Sequence, residues 1–191
     1  MRSRGADGIG PSEDQVIAQT VERVHNTVND TIYTGRDVSV VPNSPEAIYT
    51  YGNTMGGIII NNNVAGSAGE LDILDRAMRT EDPTILAELE PLIAMYKTMR
   101  DQSLATPVPQ PFLKEHLDLI NVYHALYMNL SGLRQALDDP TLALLRIKRY
   151  QDDATGLAVA LRNMYNILIP HASLFTTEDP VIAFLPFGPV N

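Results

Sequence analysis

The chain has 191 residues, 45% apolar and 19% charged, enough for one domain that buries a core without disulfide or metal. Its 23 acidic against 14 basic residues leave a net charge of −9, which repels phosphate backbones and makes nucleic acid and anionic membrane poor partners. The lack of cysteine removes thiolate nucleophiles, disulfides and cysteine metal sites together, and suits a location outside a reducing cytoplasm.

Residues 1–11, rich in Gly and Arg, read as a disordered leader or a cloning remnant, and carry no signal-peptide pattern. Ser12 and Gln15 form a capping box. Ile17, Val21, Val24, Val28 and Ile32 then make a narrow helical stripe that Gly35 ends, suited to a stalk or a self-association seam. An extended piece at Val38–Pro42 leads to Ser44 and Pro45, a cap followed by proline at the first helical turn. Ile48, Tyr51, Met55 and Ile58 or Ile59 are its apolar face. The isoleucines at 58–60 run straight into three asparagines, so no membrane-spanning stretch develops.

Asn61–Gly69 is a loop, and Ser67 with Glu70 caps a short helix facing inward through Leu71, Leu74 and Met78. Asp82-Pro83 starts another, with Ile85, Leu89, Leu92, Tyr96 and Met99 in a stripe that crosses Pro91 without losing phase and so predicts a kinked helix. Pro107, Pro109 and Pro111 hold a polyproline-like connector. The next helix has a broad apolar face through Leu117, Leu119, Ile120, Tyr123, His124, Leu126, Tyr127, Leu130, Leu133 and Leu137. Lys114, Asp118, Asn121, Ala125 and Asn129 sit opposite. Asp139-Pro140 opens the last helix, whose seam is Ala143, Ile147, Tyr150, Ala154, Leu157, Leu161, Met164 and Leu168. Arg146, Lys148 and Arg149, with Asp152 and Asp153 four residues after the last two, read as a solvated face. Pro170 stops that helix. The tail from 177 contains Val181, Ile182, Phe184, Leu185 and Phe187, too apolar for water. With Pro180, Pro186 and Pro189 it is expected to run as an extended strap over the bundle or onto a partner.

Recognisable chemistry is absent from the pattern. His116 and His124 lie eight residues apart on one helix, a rise of about 12 Å, and cannot share a metal ion. His116 is expected to pack in the apolar face with one ring nitrogen bonded. His25 and His171 have no convincing partners. No serine or lysine nucleophile motif and no glycine-rich phosphate loop occurs. Gly52 and Gly56 have the spacing of a close helix crossing or of a ligand-sized gap. Of the eight tyrosines, Tyr51, Tyr96, Tyr123, Tyr127, Tyr150 and Tyr165 fall on or beside apolar faces and are expected at the core edge with hydroxyls reaching water.

NSPEAIYTYGNTMG at 43–56, DPTILAELEPLIAMY at 82–96, PVPQPFLKEHLDLIN at 107–121, the 139–150 segment, and Phe175 with Glu178 resemble one group of proteins. These are uncharacterised helical proteins of candidate phyla radiation bacteria. The resemblance implies a helical ectodomain that is often membrane-anchored, and no catalytic residue.

The expectation is an all-α bundle of about six helices, with 112–137 and 140–169 as a C-terminal antiparallel hairpin. One domain spans 12–176 and an extended tail 177–191. The expected function is a non-enzymatic structural or interaction domain of the cell envelope, binding a protein partner or itself. Val181, Ile182, Phe184, Leu185 and Phe187 are its contact residues, and no cofactor, metal or catalytic residue is assigned. The membrane is reached through an anchor not present in the sequence. A bundle holding a small ligand or peptide is the alternative, and an enzyme the third reading.

Overall fold

The computed structural model describes residues 31–64, 69–138 and 140–189. The leader, the helix expected from Ser12 and the caps expected at Ser67 and Asp139 lie outside the described residues. From Ile32 onward the chain clusters as one unit, built mainly of helices. The helical stop expected at Gly35 is corrected, because residues 31–34 are not helical. Asp37 accepts from the Thr34 N–H and hydroxyl to form a turn, and Asn121 holds both backbone polar groups of Tyr33. Those bonds satisfy the backbone locally and remove the reason for a helix there.

Five α-helices occur among the described residues: α1 (Pro45–Asn62), α2 (Glu70–Thr80), α3 (Glu90–Leu104), α4 (Leu113–Leu133) and α5 (Pro140–Leu168). At α1 the Ser44 hydroxyl accepts from the Ala47 N–H at 3.1 Å, and Pro45 fills the first turn. Ile48, Tyr51, Gly52, Met55, Gly56 and Ile58 form its buried face. α2 turns Ile73, Leu74 and Ala77 inward, so the expected face of Leu71, Leu74 and Met78 is rotated; Leu71 and Met78 are partly exposed. α2 ends on Glu81 in the left-handed region, at φ 53°.

The helix expected to kink at Pro91 is two elements. Pro83–Leu89 is a 3₁₀ segment, capped where Asp82 accepts from the Thr84 N–H, and α3 starts at Glu90 with Pro91 in its first turn. Proline has no N–H to give and its ring opposes the carbonyl four residues back, so restarting the helix leaves no bond broken. From Leu89 on the stripe survives, since Leu89, Leu92, Tyr96 and Met99 reach the core across the junction, while ahead of it Leu86 is buried in place of the expected Ile85, which is half-buried.

The two proline-flanked connectors meet each other. Val40–Val41 (β1) pairs in parallel with Val108–Pro109 (β2), Val40 opposite Val108, and Val108 is fully buried. After a short 3₁₀ turn at Gln110–Phe112, α4 runs through the centre of the bundle with Leu119, Ile120, Leu126 and Leu130 fully buried. It packs along both α3 and α5. α5 buries Ala143, Tyr150, Leu161, Met164 and Leu168 of the expected seam.

Two polar residues expected at the surface are inside. Asn129 is fully buried and Arg146 nearly so, and the Arg146 guanidinium donates to Asn129 Oδ1 at 3.0 Å. The Asn129 amide in turn donates to Asp153. The solvated-face reading thus holds for Lys148 and fails for Arg146, whose guanidinium donates to a neighbouring helix that local spacing does not reveal.

Candidate functional site

The C-terminal segment is clasped to α1. Asp179 accepts from the Tyr49 hydroxyl at 2.9 Å, from the Asn53 amide at 3.1 Å, and from the Thr176 N–H at 2.7 Å. These donors, the Thr176 backbone first, hold the Asp179 carboxyl below its ordinary range. The Tyr49 and Phe175 rings stack with centroids 5.8 Å apart. Gly52 and Gly56 form the ledge on which this segment rests. A Cβ at Gly52 would stand 2.8 Å from the Phe175 ring, and one at Gly56 would collide with the Pro180 carbonyl. The GxxxG spacing is therefore a close crossing, between a helix and the returning tail.

The tail is not extended as expected. Pro180–Phe187 is a 3₁₀ helix, with Pro180 in the first turn and Pro186 inside it. Three residues per turn bring positions three apart onto one face. Val181, Phe184 and Phe187 consequently form one row packed on the core, while Ile182 and Leu185 form a second row exposed by 38% and 59%. An extended strand would have alternated them differently.

The exposed row edges a groove of about 190 Å³ at the end of α5, lined almost wholly by carbon. Val181 and Phe184 contribute its floor, Ile182 and Leu185 its rim, and Phe187 is not among its lining residues. The opposite wall was not read from the sequence: Tyr165, Leu168, Ile169, Ala172 and Phe175. Ile169 is 42% exposed, and its place after an apolar seam and before Pro170 was the available signal.

His116, His124 and His171 serve packing and internal hydrogen bonding, and His25 lies outside the described residues. His116 is fully buried with Nδ1 3.0 Å from the Tyr51 hydroxyl. Burial pushes its pKa down to about 4, against the opposing pull of the Ser103 backbone, so the ring is neutral near pH 7. His124 lies 3.1 Å from the Arg100 guanidinium, which also covers the Tyr127 ring at 5.0 Å. His171 packs its ring near Phe112. Tyr51 and Tyr123 depart from the expected core-edge position, since both are buried with their hydroxyls inside. Among the described residues no group of three His, Asp or Glu side chains could hold a metal ion, and no helix is long and apolar enough to cross a membrane.

The fold thus defines an all-α helical bundle with an apolar C-terminal groove. No protein-family model, no curated protein and no solved structure matches the chain.

Proposed function

We propose that this is a non-enzymatic interaction domain whose C-terminal groove receives an apolar segment of a protein partner. The observation that carries the proposal is the exposed row of Ile182 and Leu185 standing beside exposed Ile169 on a groove of nearly pure carbon. Covering such side chains contributes roughly 25 cal/mol per Å² removed from water, which a partner would supply. The end of α5, which supplies Tyr165 and Leu168, and the clasp at Asp179 support this reading by giving the groove walls that do not need to be ordered on binding. The sequence resemblance supports presentation at the cell envelope by an anchor.

Leu185→p-benzoylphenylalanine in the full chain tests the groove by photo-cross-linking in the native host. The expected outcome is a discrete adduct with one apolar segment, of a partner or of a second copy, that disappears with Ile182→Asp. Adducts no different from those of the same probe at exposed Leu144, or none at all, would overturn the proposal.

A further inference from the structure

Lysine and arginine are missing from the stretches that build the C-terminal groove. Residues 37–64, which include α1, and residues 163–189, which include the end of α5 and the tail, contain neither. The two stretches pack on each other, and every residue lining the groove belongs to the second. Apart from His171, their charged side chains are the carboxylates of Asp37, Glu46, Glu178 and Asp179. Glu178 is exposed and follows Thr177, a lining residue. Glu46 stands in the first turn of α1, one turn ahead of Tyr49, whose ring stacks on the groove-lining Phe175. At the start of α4, Lys114 is matched by Asp118 at 2.7 Å, with Glu115 beside it, so no net positive charge comes from there.

The backbone adds to the same sign. α5 is 29 residues long and ends at the groove, where Leu168 lines the wall. The C-terminal end of a helix carries about half an elementary negative charge on its unpaired carbonyls. A basic side chain in the last turn would offset it, and α5 has none there; Arg162 stands more than one turn ahead. Pro170 has no N–H to give the carbonyl of Asn166, four residues back. The 3₁₀ segment that continues the helix, Ile169–Leu174, brings one histidine, His171, whose ring packs near Phe112.

From this, and resting on the docking reading above, we infer that the groove's partner is a cationic segment, with lysine or arginine beside the apolar side chain that fills it. A dry cavity of about 150 Å³ accepts benzene, so a groove of about 190 Å³ takes one large apolar side chain. Residues flanking that anchor come next to Glu178 and the end of α5, where a cation is attracted and a carboxylate repelled. Each exposed pairing of this kind changes affinity by only about 1.5–5-fold, so the cation selects the partner while the anchor holds it.

The test uses the full chain and two fluorescent peptides that share an Ile-Leu-Phe-Leu core, one flanked by lysines and the other by glutamates. By anisotropy the lysine peptide is expected to bind saturably and about tenfold more tightly at low salt, the gap closing to about twofold at 0.5 M. Leu185→Asp is expected to abolish its binding. Glu178→Lys is expected to cut the preference, whereas Asp75→Lys, the same charge change on α2, which does not line the groove, leaves it. Equal affinity for the two peptides, both lost in Leu185→Asp, would overturn the cationic partner and leave the groove standing. A preference cut equally by Glu178→Lys and Asp75→Lys would also overturn it, since net charge alone would then be its source. Binding indifferent to Leu185→Asp, or no saturable binding of either peptide, would overturn the groove reading as well.

Discussion

The Tyr51 hydroxyl of α1 lies 3.0 Å from Nδ1 of His116 on α4, both side chains sealed in the core. The same hydroxyl stands 3.8 Å from the Met164 thioether, and a neutral imidazole pairs with it through Nδ1 as acceptor or as donor according to its tautomer. That pairing ties the helix carrying the glycine ledge to the central helix, and burial keeps its imidazole neutral.

The pH dependence of stability follows from this pair. The folded pKa of His116, about 4, lies below the ordinary value of 6.5, so on acidification the unfolded chain takes up the proton first. The contribution is complete above pH 6.5 and is lost as pH falls from 6.5 towards 4, in total roughly 3 kcal/mol. Asp37, Asp82 and Asp179, all held below 3.8, lose theirs at lower pH. Thermal melts are expected to fall between pH 6.5 and 4.5, and His116→Gln is expected to flatten that interval. A wild-type melting temperature constant over this range would contradict it.

Gly56→Ala is expected to destabilise the fold by about 3 kcal/mol, because the new methyl meets the Pro180 backbone, which has no rotamer to give way. Gly57, one residue on, has nothing nearer than the Asn61 side chain at 3.9 Å. Gly57→Ala is expected to stabilise by about 0.5–1 kcal/mol through helix propensity alone. Chemical denaturation of the two variants in parallel measures the contrast.

Asp179→Ala removes the acceptor shared by Tyr49, Asn53 and Thr176. Amide exchange in 180–187 is expected to accelerate while that of α4 stays slow, since the central helix does not depend on the clasp. Exchange unchanged in the tail would show that apolar packing of Val181 and Phe184 holds it without Asp179.

Glu81→Gly is expected to raise stability by about 1 kcal/mol. Glu81 is exposed and is the non-glycine residue held at positive φ among the described residues, a conformation that costs an L-residue about 1–2 kcal/mol and glycine almost nothing. A lower melting temperature in the variant would mean that the Glu81 side chain contributes more than its backbone strain costs.

Helix starts at Ser44 and Asp82 and the seam of α5 are legible in the chain because their causes are local. A capping oxygen answers an N–H two or three residues away, and a repeating apolar position needs no knowledge of what it faces. The break at Pro91 was masked for the opposite reason: an apolar period continues across a 3₁₀ junction when the neighbouring core accepts Leu86 and Leu89 as readily as a straight helix would have used Ile85.

The candidate site divides in the same way. The sequence by itself determined that Val181, Ile182, Phe184, Leu185 and Phe187 could not all be left in water, a matter of composition. Which of them remain at the surface was decided by the three-residue turn of the tail and by the glycine ledge that receives Pro180, more than 120 positions earlier in the chain. The same holds for Arg146, buried where Asn129 on the adjacent helix accepts from it, and for Tyr123, enclosed with no hydrogen bond to its hydroxyl among the described residues. The reason is physical: burial of a polar group is set by what stands opposite it in space, and that pairing exists once the helices have packed.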